Sequence, residues 1–367
     1  MENKKKIAII GSRGIPAEFG GFETFAEQLA LGLTDKGCQV TVFCESTQKY
    51  DKPEYKGVDL VYLKTPNIVG IRSVWFDLVS IVKTLRNYDV VYMLGYHAGF
   101  AFFIPRLFGT NFWVNMDGLE WKRSKWSAMA KIYLKFNEWC AARFATKLIA
   151  DAQGILEHLD GAYNVGHKSV MIPYGAELCE QTPDEELVKK LGFDPNEYYL
   201  VVCRLEPENH VKEILLGFMQ SNVQKKLVIL GDHKSGTDYV EDLIAIADER
   251  IVFLGTIYDQ TKLNTLRYYC ISYLHGHSVG GTNPSLLEAM AVSNNIIAHD
   301  NIFNREVTDG NADFFADVAE LSETLNRIDA IGVTEKHKTN VKNRVINIYN
   351  WDRIIDIYYK QIHNIQD

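Results

Sequence analysis

Short apolar runs recur along this chain, and each leads into a polar, often glycine-containing turn and then a longer amphipathic stretch. Few folds tolerate that rhythm. Strands separated by helical crossovers pair in parallel, and a parallel sheet must be covered by helices on both faces. The pattern predicts strands over Lys6–Ile10, Val40–Cys44, Val90–Leu94, Phe112–Met116, Leu148–Ala150, Val170–Ile172, Leu200–Cys203, Leu227–Leu230, Ile251–Leu254, Ile271–Leu274 and Ile296–Ala298. A first helix is read from Phe22, Phe25, Leu29 and Leu33 at helical spacing, with Glu23, Glu27 and Gln28 on the other side and Gly37 as its stop. The polar stretch 181–196, with Pro183, Gly192 and Pro195, marks where a second half begins. The expected class is α/β, with parallel sheets in one domain over 1–175 and another over 176–349. A last helix over 350–364, apolar at Trp351, Ile354, Ile355, Tyr358 and Tyr359, is expected to brace the first domain.

Composition fits this reading and removes several others. A chain of 367 residues suits two domains, and 47% hydrophobic content with 23% charge is that of a globular protein with a large core. The formal net charge of −8 argues against general nucleic-acid binding. Six cysteines without Cys-x-x-Cys spacing suggest neither a zinc site nor a disulfide framework, and reduced thiols in the cytoplasm fit them. The four apolar residues after Lys4-Lys5-Lys6 are too few for a signal peptide. No run reaches the roughly 18 apolar residues that span a bilayer.

The polar turns follow strands almost without exception, and in open α/β sheets ligands bind beyond the carboxyl ends of the strands. Two such sets imply sheets whose C-terminal edges face one cleft. The most informative turn is His275-Gly-His-Ser-Val-Gly280-Gly281-Thr282-Asn283-Pro284-Ser285, which ends a β-rich run and opens into a helix. Main-chain amides of Gly281, Thr282 and Asn283 at a helix N-terminus favour a phosphate, and Gly280 lets backbone approach it. Glu288, about one turn further on, is placed to accept from a ribose hydroxyl; an ordinary strand-to-helix turn is the plain alternative. His275 and His277 would point the same way, but with no third ligand nearby they read as structural or sugar-contacting. Tyr258 is read either as lying by the nucleotide base or, the favoured reading, as core packing.

These segments together resemble glycosyltransferase family 4, retaining enzymes built of two facing Rossmann-like domains, the GT-B fold. The marks are Gly11-Ser-Arg-Gly14-Ile-Pro-Ala-Glu-Phe-Gly20-Gly21-Phe-Glu23-Thr, then Arg204-Leu-Glu206-Pro-Glu208-Asn, then Gly280-Gly-Thr-Asn-Pro-Ser-Leu-Leu-Glu288-Ala-Met. Asn115-Met-Asp117-Gly118-Leu-Glu120-Trp121-Lys-Arg with the glycine loop is similar to bacterial rhamnosyltransferases of cell-wall or capsular polysaccharide synthesis. The resemblance implies transfer of L-rhamnose from dTDP-L-rhamnose to a lipid-diphosphate-linked sugar, GlcNAc or glucose, with the acceptor on the first domain and the nucleotide sugar on the second.

The chain departs from the wider family at two positions. A glutamate usually stands where Gly280 is, and its absence suits a 6-deoxy sugar. The lysine that follows the phosphate-binding arginine by five or six residues is replaced by Asn209 or His210, leaving Lys212 or the loop amides to serve. Stabilising the departing diphosphate is the main chemical task, and Arg204 is the best candidate for it. Asp117, after the fourth predicted strand, is placed to orient or deprotonate the acceptor hydroxyl, or else to cap the next helix. Gly14, Glu206, Glu208 and Lys212 join Gly280, Gly281, Thr282, Asn283 and Glu288 as donor-binding candidates. Gly20, Gly21, Glu23, Asp151 and Tyr174 are acceptor-binding candidates.

No Asp-x-Asp occurs, so no metal or other cofactor is expected. Between Trp121 and Lys147 seven cations face one acid, Glu138, with aromatic residues interleaved. That suits a peripheral contact with an anionic membrane on its inner face, or equally a core helix with a solvated side. A UDP-glucose or UDP-GlcNAc donor, a nucleotide-sugar epimerase and a non-catalytic sugar- or nucleotide-binding protein are the competing readings.

Overall fold

A computed structural model describes residues 4–18, 20–68, 71–116, 118–123, 125–179 and 182–365. The chain forms two compact units, one of Met1–Lys122, Trp126–Tyr174 and Trp351–Asp367, the other of Arg123–Lys125 and Gly175–Asn350.

The first unit is an eight-stranded sheet: β1 (Lys6–Ile10), β2 (Gln39–Glu45), β3 (Glu54–Tyr55), β4 (Val58–Leu63), β5 (Val90–Leu94), β6 (Phe112–Asn115), β7 (Lys147–Ala150) and β8 (Ser169–Met171), in the order β3-β4-β2-β1-β5-β6-β7-β8. All neighbours run parallel except β3 and β4. That hairpin turns through Lys56 and Gly57, both at positive φ (48° and 85°), as a two-residue turn matched to strand twist requires. The central strands β1 and β5 are rich in Ile and Val and buried on both faces, as strands of a covered parallel sheet must be. The helix Trp351–His363 buries Ile354, Ile355, Tyr358 and Ile362 against this unit. Its Ile355 fills the notch at Gly32 of the helix Gly21–Asp35, and the hydroxyls of Tyr358 and Tyr92 lie 2.8 Å apart.

The second unit is a six-stranded parallel sheet of β9 (Tyr198–Val202), β10 (Lys226–Leu230), β11 (Ile251–Phe253), β12 (Tyr273–His275), β13 (Ile296–His299) and β14 (Asp313–Phe315). Its order, β11-β10-β9-β12-β13-β14, is the doubly wound one, in which the direction of winding reverses between β9 and β12. One face is covered by the helices Val211–Gln220 and Val318–Ile331, whose Ile214, Leu215, Phe218, Leu321 and Leu325 pack with Val201 and Ile229. Three strands, β3, β4 and β14, lie outside the segments that the apolar runs predict.

Candidate active site

In a doubly wound sheet the crevice for a ligand opens where β9 and β12 diverge, beyond their carboxyl ends. Two loops meet there. Arg204 is the second residue of the loop after β9, and Asn209 Nδ2 donates to its carbonyl (2.7 Å). The loop after β12 is fastened to it by Ser278, which donates both its main-chain N–H (3.1 Å) and its hydroxyl (3.0 Å) to the carbonyl of Glu208. Further back, Asn301 and Asn304 each donate a side-chain N–H to the carbonyl of His277 at 3.0 Å. The loops are thus positioned through main-chain carbonyls, which leaves charged side chains available.

The Arg204 side chain is 64% exposed, with Nη1 3.6 Å from Glu206. Glu206 also takes Lys125 at 3.4 Å, and Arg123 Nη1 stands 3.9 Å from both Glu206 and the buried Glu208. Arg123 and Lys125 group with the second unit, within the 1–175 span that the sequence predicts for the first domain. The physical reason is this cluster of opposite charges. Lys212 is exposed on the first turn of Val211–Gln220, where its main-chain N–H meets Tyr239 Oη at 3.3 Å.

The glycine loop ends at Asn283, which caps the helix Pro284–Ala291 by accepting from Ser285 N (3.0 Å) and Ser285 Oγ (2.8 Å). Its side chain is thereby used for the cap. Among the described residues the main-chain N–H groups of Gly281 and Asn283 have no protein acceptor. Gly280 has φ 121°, a backbone state that disfavours any side chain, while open space surrounds its missing Cβ. Gly281 and Thr282 are buried. Glu288 forms an ion pair with Arg267.

His275 and His277 do point the same way, their rings stacked at 4.3 Å, and His210 stacks on His299 at 4.1 Å. Burial, reinforced by Arg204 and Arg123, pushes His277 down to about 3; burial and its histidine neighbours hold His275 well below its usual range. Both are neutral imidazoles at neutral pH, suited to hydrogen bonding rather than to donating charge. Among the described residues no group of three His, Cys, Asp or Glu is arranged to hold a metal. Tyr258 is 67% exposed, a correction to its reading as core, because it follows β11 on the open carboxyl side of the sheet.

In the first unit the loop after β1 is held by the helix Gly21–Asp35: Glu23 accepts from Arg13 N (3.0 Å) and Glu27 from Ala17 N (2.6 Å). Gly14 packs against Cys44, whose Sγ stands 2.5 Å from where a Cβ would be, so its glycine serves the fold of this loop. Gly20 and Gly21 are exposed beside Glu23. Asp151 and Tyr174 are buried, with the Tyr174 ring edge-on to Phe25 at 5.0 Å. Asp117 lies outside the described residues. Its neighbours are clamped by the buried Tyr96, whose hydroxyl donates to Gly118 O (3.3 Å) and accepts from Glu120 N (3.2 Å).

Residues 4–177 match the family model described as a domain of unknown function, DUF1972. No curated protein matches the chain. Among solved structures it is similar to sucrose-phosphate synthase from Thermosynechococcus elongatus (TM-score 0.80, 16% identity, 99% of this chain and 100% of that one). It is also similar to Anabaena HepE in complex with UDP-glucose (0.76, 17%, 98% and 100%) and to a glycosyltransferase from Rickettsia africae (0.72, 15%, 99% and 99%). At these identities the likeness is one of fold. The fold is the two-domain GT-B architecture of glycosyltransferases.

Proposed function

We propose that the protein is a retaining, metal-independent glycosyltransferase that moves L-rhamnose from dTDP-L-rhamnose to a lipid-diphosphate-linked GlcNAc or glucose during polysaccharide synthesis. The observation that carries the nucleotide-sugar part is that the loop of the exposed Arg204 is fastened, through Ser278 and Glu208, to the loop that holds the acceptor-free amides of Gly281 and Asn283. A guanidinium and helix-start amides together bind a diphosphate, and both gain strength as negative charge grows on the leaving group. In this reading Arg204 exchanges Glu206 for the leaving phosphate, Glu288 takes the ribose and Lys212 assists. Asp117 orients the acceptor hydroxyl or takes its proton. Rhamnose is favoured because Gly280, at φ 121°, stands where the family that the sequence resembles carries the carboxylate that reads sugar hydroxyls.

A second reading keeps the transfer and changes the donor to UDP-glucose, since HepE was solved with that molecule. An assay of purified protein with dTDP-L-rhamnose, UDP-glucose and UDP-GlcNAc, a synthetic lipid-diphosphate sugar, and chelator decides between them. Turnover with dTDP-L-rhamnose that survives chelation is expected. Turnover only with a UDP-sugar, or only with added metal, overturns the corresponding part.

The acceptor's lipid implies a membrane contact on the cytoplasmic side, and the helix Ala128–Phe144 supports one. Met129, Ile132, Tyr133, Phe136 and Trp139 form a stripe at helical spacing that is 40–82% exposed. The helix also carries Lys131, Lys135 and Arg143, and its one acid, Glu138, is buried by bonds from Trp121, His158 and Tyr163. An exposed apolar stripe among unopposed cations suits an anionic lipid surface. No helix of the described residues is long and apolar enough to cross a membrane.

A further inference from the structure

A diphosphate has two phosphoryl groups to hold, and Arg204 supplies a single guanidinium. The residues that follow it in its own loop are already committed. Asn209 Nδ2 is spent on the carbonyl of Arg204. Ser278 gives its hydroxyl proton to the carbonyl of Glu208, so His210 Nε2, 3.0 Å from that hydroxyl, must be the donor to it, and the other ring nitrogen of His210 faces Glu213 at 3.5 Å. Lys212 stands beside the helix Asp238–Ile246, which follows β10, whereas the glycine loop follows β12 on the opposite side of β9.

Arg123 is better placed. Its Nη1 lies 3.9 Å from Glu206 and from Glu208, and Arg204 Nη1 lies 3.6 Å from Glu206, so the two guanidinium groups share one carboxylate. These contacts are charge pairs longer than hydrogen bonds. Both arginines also act on His277 in the glycine loop, where burial first, then Arg204, then Arg123 oppose a positive charge on the ring. Counting Lys125, three cations meet two carboxylates in this cluster, which leaves one positive charge in excess.

The two carboxylates differ. Glu208 has a side chain 4% exposed, and its carbonyl is fixed by Ser278. Glu206 is 24% exposed, yet its Oε2 is buried and has no hydrogen-bond partner among the described residues. A desolvated carboxylate oxygen without a donor gains by returning to water, so Glu206 is the group that an incoming anion can replace.

Given the nucleotide-sugar reading, on which this rests, we propose that Arg123 is a second donor-binding residue, which with Arg204 holds the diphosphate of the sugar nucleotide in the place of Glu206. Glu208 stays as the fixed countercharge that positions Arg123. The planar forks of two arginines suit the several oxygens of a diphosphate better than the two of one carboxylate.

Calorimetric titration of the whole chain with dTDP, UDP, dTMP and UMP tests this. A nucleoside diphosphate is expected to bind the wild type, and Arg123→Ala to weaken it about tenfold, more than it weakens the matching monophosphate. Arg123→Lys recovers part of the loss. Glu206→Gln moves the other way and tightens the diphosphate, because the competing charge is gone. That sign separates ligand binding from a structural ion pair, in which loss of either partner weakens the site, and it can be read even if Arg123→Ala fails to fold. Equal diphosphate affinity in wild type and Arg123→Ala, a larger loss in Lys212→Ala than in Arg123→Ala, or weaker binding by Glu206→Gln overturns the role of Arg123 and leaves the nucleotide-sugar reading standing. A wild-type chain that binds neither diphosphate overturns both.

Discussion

Arg267 and Glu288 form an ion pair in which the guanidinium side chain is 1% exposed and the carboxylate 30%. The arginine lies on the helix Gln260–Tyr269 and the glutamate in the middle of the helix that opens from the glycine loop, so the pair anchors one helix to the other. Removing one partner leaves a buried charge without compensation, which costs about 3–5 kcal/mol for a fully buried pair. Glu288 is partly exposed, so Arg267→Ala is expected to destabilise by about 3 kcal/mol in urea unfolding. Glu288→Gln leaves the 1% exposed guanidinium without its countercharge, so it is expected to cost at least as much stability and also to raise KM for the donor. An Arg267→Ala midpoint equal to the wild type's means that the pair anchors nothing.

Arg204 offers the opposite combination. Its side chain is largely in water, so Arg204→Ala leaves the unfolding midpoint within about 0.5 kcal/mol of wild type. Loss of a preorganised donor to a leaving group lowers kcat by about 10²–10³-fold. Arg204→Lys restores the charge without the bidentate fork and recovers only part of that loss. Steady-state kinetics beside urea curves check both statements. Unchanged kcat in Arg204→Ala removes the assignment.

The histidine pair sets an acid limit on stability. Both folded-state values are depressed below the ordinary histidine range, His277 to about 3. Between about 6.5 and the folded value the unfolded chain binds protons that the folded chain does not, so stability falls as pH falls through that window and is level above it. Each such histidine contributes a slope of about 1.4 kcal/mol per pH unit at most. Unfolding free energies measured at pH 7, 6 and 5 are expected to decline, and His277→Asn is expected to flatten the decline by about one proton. Equal slopes in the two proteins contradict the buried, neutral state of His277.

The parallel sheets were legible because their central strands are unbroken apolar runs, and Arg204 and the glycine loop because they directly follow such runs. β4 was not, since Asp59 interrupts Val58–Leu63 and Asp59, Val61 and Tyr62 are only half-buried. β14 is three residues long and begins with an aspartate. The site's scaffolding was hidden for another reason. Asn209, Ser278, Asn301 and Asn304 act on main-chain carbonyls, and no side-chain pattern announces a hydrogen bond between residues 70 positions apart such as Ser278 and Glu208. Gly14 looked like a ligand-approach glycine, and its contact with Cys44 depends on a register between β2 and the loop that spacing alone does not disclose.

The exposed stripe of Ala128–Phe144 separates membrane attachment from folding and from chemistry. Met129 and Ile132 are 82% and 69% exposed and Phe136 is 50% exposed, so replacing all three by serine removes little native packing. Stability is expected to stay within about 1 kcal/mol. Insertion of these side chains into a lipid interface gains roughly 25 cal/mol per Å² buried, and each nearby lysine adds about 1 kcal/mol on an anionic surface. The triple variant is therefore expected to lose sedimentation with phosphatidylglycerol vesicles at any ionic strength. Lys131→Glu with Lys135→Glu is expected to lose only the salt-sensitive part, because the apolar stripe remains. Donor affinity stays at the wild-type value in both, since no residue changed here belongs to the loops after β9 and β12. Wild-type vesicle binding by the triple variant assigns the stripe to some other contact.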